Sequence, residues 1–107
     1  MSDDAIVQFD VATPLGFSVR VTKAYWEMLV RVKHPAMAGR EQQVQDALTA
    51  PDEVRRSRTD EAVFLFYKSD GEHRWVCAVC KRTNGDGFLI TAYLTDAVKE
   101  GERIWPE

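Results

Sequence analysis

Residues 74–95 read RWVCAVCKRTNGDGFLITAYLT, and this stretch decides the predicted fold more clearly than any other part of the chain. Its centre, Asn84-Gly85, is the strongest short-range hairpin signal, because a two-residue turn needs positive φ at both central positions. The flanking residues follow the period of two that strands impose. We therefore predict a hairpin with strands over about residues 74–82 and 87–95.

The strand pattern continues on the N-terminal side of this hairpin. Residues 62–68 have a strong strand pattern and residues 54–58 a weak one. Near the start of the chain, apolar and polar residues alternate over residues 7–21, around the turn residues Thr13-Pro14-Leu15-Gly16. A leading hairpin is therefore expected within residues 1–22.

Between these strands the apolar residues recur at helical spacing. Thr22 can cap a first helix, over about residues 23–33, through its hydroxyl group. This helix should end at His34-Pro35, because the proline ring clashes with a helical conformation at the residue before it. A second short helix ends before Pro51. The apolar faces of these helices hold Trp26, Leu29 and Val30 in the first, and Val44, Ala47 and Leu48 in the second.

A last short helix is expected over about residues 96–100, where Gly101 stops it. The predicted order is thus two strands, two helices, four strands and one helix. This order indicates an α+β fold with an N-terminal β-hairpin, two helices and then a four-stranded antiparallel sheet with a short C-terminal helix. The helices should pack on one face of the sheet.

Composition places the chain among globular proteins. It has 107 residues, of which 45% are hydrophobic and 29% charged, which fits one domain over residues 1–107. Its apolar runs are far shorter than the roughly 20 residues of a membrane-spanning helix, and the start Met1-Ser2-Asp3-Asp4 lacks the form of a signal peptide. We expect a cytoplasmic protein with no membrane contact, no metal and no cofactor, since no Gly-rich phosphate loop or metal-ligand motif occurs.

Charge is unevenly distributed along the chain. The 14 Lys+Arg and 17 Asp+Glu residues give a net charge of −3, which weakens the case for a nucleic-acid ligand. Residues 20–82, however, carry 12 basic and 9 acidic residues, so most of the excess acid lies near the two ends. A local cationic patch is expected, with weak and salt-dependent affinity for long nucleic acids.

Strict alternation along paired strands predicts which side chains share a face of the sheet. With two-residue turns at Asn84-Gly85 and Asp70-Gly71, one face is a polar, cationic and aromatic surface and the other is the core. The predicted polar face holds Tyr67, Arg74, Arg82, Thr91, Tyr93 and Thr95. The predicted core face holds Phe64, Phe66, Trp75, Cys77, Val79, Phe88, Ile90, Ala92 and Leu94. A three-residue loop or a bulge would bring Lys81 to the polar face in place of Arg82.

Each feature of this surface has a structural alternative. Any sheet packed on one side shows hydroxyls and charges to water on the other, although arginines mixed with tyrosines can also bind phosphate and stack on bases. His34 either only ends its helix or serves as a general acid or base, because a helix C-terminus favours the protonated ring. Arg55, Arg56 and Arg58 either protect a solvated edge strand or form a basic cluster.

Cys77 and Cys80 have the spacing of a redox pair or of half a zinc site. On one strand, however, their Cα atoms are about 10 Å apart, beyond the roughly 7 Å that a disulfide allows. They also point to opposite faces. We therefore predict two structural thiols.

Several short motifs in a particular order resemble the barnase/EndoU/colicin/RelE-like nuclease superfamily, in its small phage- and plasmid-borne subtype. The likeness spans residues 22–105. The motifs are Thr22, Trp26 and His34-Pro35; then Val44, Ala47-Leu48, Pro51-Asp52-Glu53-Val54-Arg55 and Ser57; then Leu65-Phe66-Tyr67-Lys68; and finally Ile90-Thr91-Ala92-Tyr93, Lys99, Gly101 and Trp105.

The resemblance implies a core of two helices and a four-stranded antiparallel sheet over residues 23–107, to which residues 1–22 are extra. It also implies metal-independent RNA cleavage, in which the ribose 2′-hydroxyl attacks the adjacent phosphate. His34, Thr91 and Tyr93 match the family's site positions and are the candidate catalytic residues. From their position on the predicted polar face and strands, we add Arg58, Tyr67 and Arg82 as candidate RNA-phosphate contacts.

Two other functions are compatible with the same residues. The first is a binding module that keeps the fold without the chemistry and recognises RNA or a protein partner, such as the antitoxin that would accompany a toxin nuclease. The second is a homodimer formed through the exposed edge of the leading hairpin.

Overall fold

The computed structural model describes residues 6–107 of the chain. Residues 1–5, which include the acidic start and the first part of the expected leading hairpin, lie outside this range. The strands are β1 (Val7–Ala12), β2 (Ser18–Thr22), β3 (Glu53–Arg56), β4 (Val63–Ser69), β5 (Trp75–Thr83), β6 (Asp86–Thr95) and β7 (Glu102–Trp105). The helices are α1 (Lys23–Met28) and α2 (Glu41–Thr49), separated by a π-helical turn at Leu29–Lys33 and a 3-10 turn at Pro35–Met37.

The seven strands form one mixed sheet in the order β1-β2-β6-β5-β4-β3-β7. β2 and β6 are parallel, and the other neighbouring strands are antiparallel. The α+β class is confirmed, but the four-stranded antiparallel sheet with a C-terminal helix is wrong. The leading hairpin belongs to the same sheet because β2 pairs with β6, and a seventh strand stands near the C-terminus, beyond β3.

The leading hairpin is present as predicted, and a glycine allows it to join the sheet. The Thr13 hydroxyl donates to the Phe17 carbonyl oxygen at 2.8 Å and closes the turn between β1 and β2. A Cβ atom at Gly87 would lie 2.9 Å from the Phe17 ring. The bare backbone at this position therefore allows β6 to approach β2 while the Phe17 ring stays buried between the strands and the core.

The first helical segment covers the predicted residues 23–33, but its second half is π-helical. Thr22 caps it as expected, since its hydroxyl accepts from the Tyr25 N–H at 3.2 Å. The π-helical turn ends at His34, whose N–H donates to the Leu29 carbonyl oxygen at 2.9 Å. The Tyr25 hydroxyl donates to the Ile90 carbonyl oxygen and attaches this helix to β6.

Both faces of the sheet are packed. The helix face is covered by α1, α2 and the turns between them, and it contains the larger core, which includes Trp26, Leu29, Met37, Val44, Leu48, Phe64, Phe66, Ala78, Cys80, Leu89 and Ala92. The opposite face, here called the crossing face, has a smaller core of Leu65, Tyr67, Cys77 and Val79. Burial of apolar side chains thus holds the sheet from two sides.

The segment between β6 and β7, residues 96–101, covers the smaller core. It is here called the crossing segment, because it crosses this face of the sheet. The expected helix over residues 96–100 is absent. The Thr95 hydroxyl instead accepts from the Ala97 N–H at 3.3 Å and donates to the Ala97 carbonyl at 3.1 Å, a local arrangement that competes with helix formation. Because β5, β4 and β3 separate β6 from β7, the segment crosses the sheet, and Val98 packs against the smaller core.

The predicted polar face is wrong because two local features change the strand register. The Asp70 N–H donates to the Arg74 carbonyl oxygen at 2.8 Å, which makes the β4–β5 turn three residues long. In β6, Cys80 pairs with Leu89 but Val79 pairs with Thr91, so Ile90 is an extra residue that forms a β-bulge. Thr91 therefore pairs with Val79, and Tyr93 with Cys77. Alternation had assigned Val79 and Cys77 to the core face.

The sheet has β1 at one edge and β7 at the other. Dimerisation through the edge of the leading hairpin concerns a second copy and stays a prediction. Within residues 6–107, no helix has the length and apolar character needed to cross a membrane.

Glycine replacements can test the contact between the crossing segment and β3. Gly101 and Gly71 both have positive φ, so alanine at either position should cost about 1–2 kcal/mol of stability. A Cβ atom at Gly101 would also lie 2.6 Å from the Arg56 carbonyl oxygen, whereas at Gly71 it meets nothing within 4 Å. Gly101→Ala should therefore cost about 1–3 kcal/mol more than Gly71→Ala in urea unfolding. Equal losses would contradict the described position of the crossing segment.

Candidate functional site

His34 and Tyr93 meet at one corner of the sheet. Their ring centroids are 5.7 Å apart, with an angle of 38° between the ring planes. The π-helical turn brings His34 to this position, since it ends along the edge of β6 that α1 follows. Thr91 lies two residues before Tyr93 on the same face, and its buried hydroxyl oxygen has no hydrogen-bond partner among the described residues. The structure thus brings His34 into contact with Tyr93, and Thr91 lies on the same face as Tyr93 with a buried hydroxyl group.

Tyr67 lies beneath this corner and not on the surface. Its side chain is 1% exposed and belongs to the smaller core with Cys77. Burial raises the pKa of the Tyr67 and Tyr93 phenols well above their usual range, and the nearby Cys77 thiol and Glu100 carboxylate act in the same direction. Both phenols therefore keep their protons at neutral pH. Tyr67 is enclosed and is not placed to contact a phosphate group.

Arg58 is engaged in holding the crossing segment. Its guanidinium donates to the Gly101 carbonyl oxygen at 3.3 Å, and Arg55 donates to the same oxygen at 3.3 Å. Arg55 also pairs with Glu53 at 2.5 Å. Two members of the basic cluster therefore have a structural role, and β3 is an inner strand between β4 and β7 and not an edge strand.

Arg82 lies at the end of the helix face, away from Thr91 and Tyr93. Its guanidinium carbon is 5.0 Å from the centre of the Phe17 ring. Arg56 is arranged in the same way, 5.5 Å from the centre of the Phe64 ring. The two rings contact each other with centroids 5.5 Å apart. Both arginines line one open cavity of about 340 Å³, which is here called the arginine cleft.

The arginine cleft combines two exposed cations that have no acidic partner. Among residues 6–107, neither Arg56 nor Arg82 has a salt bridge or a side-chain hydrogen bond, whereas Arg40, Arg55, Arg74 and Lys81 each pair with a carboxylate. Glu61 and Ala62 also line the cleft. Stacking on fixed rings restricts both guanidiniums, which reduces the entropy lost when they bind an anion.

Arg56 is the residue of the arginine cleft that the sequence prediction missed. The cluster Arg55-Arg56-Ser57-Arg58 marked the region, and alternation placed Arg56 on one side of the strand, but nothing in the sequence distinguished it from Arg58. Only the register Arg56↔Phe64 places its guanidinium over an aromatic ring. Arg58 follows β3, beyond the paired residues, where it reaches the crossing segment instead.

Lys81 takes the position on the crossing face that Arg82 was expected to occupy. Its ammonium group pairs with Asp60 at 3.1 Å. A backbone hydrogen bond from Ala62, together with Lys81, lowers the pKa of the Asp60 carboxyl group. This cation is therefore already neutralised by a carboxylate and is less available to an anionic ligand than Arg56 or Arg82.

The two cysteines are buried free thiols on opposite faces, as predicted. Cys77 belongs to the smaller core and Cys80 to the larger one. Burial raises the pKa of each thiol to about 12, so neither is a reactive nucleophile at neutral pH. The part of the chain that the structure describes contains no cluster of three or more His, Cys, Asp or Glu side chains able to hold a metal ion.

Because burial raises the pKa of both thiols, we expect the folded protein to lose stability in alkaline solution. Unfolded thiols ionise near their ordinary pKa of 9.0, whereas the folded protein keeps both protons up to about pH 12. The unfolded state therefore binds fewer protons in this range, and the unfolding equilibrium constant should rise about tenfold per pH unit for each thiol. Urea unfolding between these pH values should show a shallower pH dependence for Cys77→Ala. Parallel curves for the two proteins would contradict the burial of Cys77.

Comparison with known proteins identifies no relative of this chain. No family model matches it, and neither the curated proteins nor the solved structures include a significant match. The function is therefore inferred from the side chains of this chain and their geometry.

Proposed function

We propose that this chain is an RNA-binding domain that holds the phosphodiester backbone between Arg56 and Arg82. The observation that carries the proposal is the arginine cleft, in which both guanidiniums are exposed, face one cavity and have no acidic partner in the described range. Such a site suits an anion. A phosphodiester, like a carboxylate, matches the fork of donors on each arginine, and it is the anion that recurs along an RNA strand.

The geometry of the cleft supports a backbone contact more than an enclosed small-molecule site. The cavity is open, and its floor is formed by Phe64, which the Arg56 guanidinium covers. A chain of linked phosphates can pass through such an open cleft. The Glu61 carboxylate at its rim opposes the two cations, so binding should be modest and sensitive to salt.

The distribution of charge along the chain, and not its total, is consistent with this proposal. The net charge of −3 opposes general attraction to nucleic acids, so the contact must be local. Residues 20–82 contain both arginines of the cleft and carry the excess of basic residues. The cytoplasmic location expected from the sequence fits an RNA ligand.

Binding can be measured by fluorescence anisotropy with a labelled single-stranded RNA of mixed sequence. The double variant Arg56→Gln/Arg82→Gln should bind at least tenfold more weakly at low salt, because two charge-assisted contacts to phosphates are lost. The slope of log affinity against log salt concentration should also decrease by about 1.4, since each contact to a single strand contributes about 0.7.

A charge-matched control is Arg31→Gln/Arg103→Gln. Both residues are exposed, and neither lies in the arginine cleft. This variant should stay within twofold of the original protein. The proposal is wrong if the original protein binds no RNA at low salt, or if the two double variants lose the same affinity.

Metal-independent RNA cleavage is the second candidate function, and the contact between His34 and Tyr93 favours it. In this mechanism, an attacking ribose hydroxyl transfers a proton to a base while the leaving oxygen receives one from an acid. His34 can take the part of the base. Burial raises the pKa of the Tyr93 phenol, so Tyr93 keeps its proton at neutral pH and in this mechanism would be the acid, although a weak one.

The cation needed for this chemistry differs from the one first expected. Arg82 lies on the helix face, so it does not join His34. Lys33 precedes His34 in the chain, and its ammonium group lies 3.5 Å from the Tyr25 hydroxyl, along the same edge of β6. In this mechanism Lys33 would stabilise the charge that develops on the phosphate. A nuclease of toxin type would also require a neutralising protein partner.

Cleavage of labelled RNA in the presence of EDTA tests this second function. His34→Asn and Tyr93→Phe should each lower the cleavage rate at least a hundredfold, because each removes a proton-transfer group. His73→Asn is the matched control, since His73 lies in an exposed turn with positive φ that asparagine tolerates. Cleavage by all three variants at equal rates would exclude this site, and absence of cleavage by the original protein would leave the binding function alone.

A further inference from the structure

The place where β2 separates from β6 forms a second, different site. The two strands pair only through Val19↔Gly87 and Arg20↔Phe88. Beyond these pairs the chain leaves β2 at Thr22 and enters α1, while β6 continues along the sheet. A cavity of about 470 Å³ extends from the ends of the paired strands, at Ser18, Thr83 and Asp86, as far as Thr22. A second cavity of about 170 Å³, at the separation itself, shares Arg20, Thr22 and Phe88 with it. This site is here called the strand fork.

The strand fork presents an aromatic ring to solvent. Phe88 is 46% exposed, although alternation along the hairpin assigned it to the predicted core face. It pairs in register with Arg20 on β2 and with Lys81 on β5. Directly paired residues point to the same face of a sheet. Arg20 and Lys81, whose ammonium group pairs with Asp60, are therefore the neighbours of the ring on its two sides. An exposed phenyl ring between basic side chains is suited to stack with a planar, electron-rich ligand.

The polar lining of the strand fork argues against a phosphate ligand. The Asp10 and Asp86 carboxylates line the larger cavity together with Arg20, so its formal charge is negative. The hydroxyl groups of Ser18, Thr22 and Thr83 complete the lining. A phosphate group would be repelled by the two carboxylates. A neutral ring that donates hydrogen bonds would instead find two strong acceptors beside a stacking surface.

We infer that the strand fork binds a nucleobase that carries an exocyclic amino group. The base stacks on Phe88, and its amino group donates to Asp86 or Asp10, as carboxylates accept from the amino group of cytosine. Adenine, cytosine and guanine have such a group, and uracil does not. The volume of the larger cavity lies within the range of about 300–1,000 Å³ that is typical of ligand pockets.

This inference rests on the proposed RNA-binding function and specifies its substrate as single-stranded RNA. The strand fork and the arginine cleft lie at the same end of the sheet, since Arg82 pairs with Gly87, the neighbour of Phe88. The cleft is on the helix face, and Phe88 belongs with Lys81 on the crossing face. A strand that passes this end of the sheet can place a phosphate in the cleft and turn an unpaired base into the fork. A base held in a duplex is not free to do so.

Phe88 variants test the stacking contact. Phe88→Ala should weaken binding of single-stranded RNA by roughly 5- to 100-fold, the range for loss of one base–aromatic stack. Phe88→Tyr keeps the ring and should stay within twofold. Because Phe88 is exposed, both proteins should fold, and circular dichroism checks this.

Inorganic polyphosphate distinguishes failure of this inference from failure of the proposed function. It has phosphates and no bases, so its affinity should depend on Arg56 and Arg82 and should be unchanged in Phe88→Ala. Full RNA affinity in Phe88→Ala, with loss in the arginine double variant, would overturn the stacking site and leave the RNA-binding function. Absence of both RNA and polyphosphate binding by the original protein would overturn both.

Oligonucleotides of one base test the amino-group contact. The original protein should bind oligocytidylate and oligoadenylate at least fivefold more tightly than oligouridylate of the same length. In Asp10→Ala/Asp86→Ala, which removes both acceptors, this preference should fall below twofold, whereas Asp96→Ala/Glu102→Ala, an equal change of charge at exposed positions outside the fork, should retain it. Equal binding of the three oligonucleotides by the original protein would overturn the assigned base preference.

Discussion

The alternation of side chains along the central strands is the constraint on which the arrangement of this protein depends. Successive residues of a strand point to opposite faces, so one extra residue moves every later side chain to the other side. Ile90 is such a residue in β6. The Tyr25 hydroxyl donates to the carbonyl oxygen of Ile90, so the bulge is also the point where α1 is attached to the sheet. The bulge therefore determines both the pairing of β6 and the path of the helix beside it.

This change of register places Thr91 and Tyr93 on the face of the sheet opposite to Arg82, with which they were predicted to share a surface. Tyr93 faces the smaller core, where Tyr67 and Cys77 are enclosed beneath the crossing segment. Arg82 points to the helix face and stacks on Phe17. The protein consequently has an aromatic corner next to His34 and a cationic cleft elsewhere. The proposed phosphate contacts and the proposed proton-transfer groups therefore lie at different places on the sheet.

Much of the fold could be predicted because many of its signals are local. The Asn84-Gly85 turn, the Thr22 cap and the helix end at His34-Pro35 each depend on a few neighbouring residues. The strand at residues 102–105 could not be predicted in this way, since β7 is held by pairing with β3, nearly fifty residues earlier in the chain. At the candidate sites, His34 and Tyr93 were both predicted from the sequence, and the structure places them in contact. Arg82 was also predicted, but the residue that shares its cavity is Arg56, which was not.

The sequence by itself determined the α+β class, the leading hairpin, the two helical segments and the central hairpin, because backbone preferences and apolar spacing act over short distances. The tertiary structure decided the parallel pairing of β2 with β6, the path of residues 96–101 and the face on which each arginine lies. These features depend on contacts between distant residues and on a one-residue change of register. Composition and residue spacing do not indicate these distant contacts or this change of register, since the alternating residues of β6 fit the pairing with a bulge at Ile90 and the pairing without it equally well.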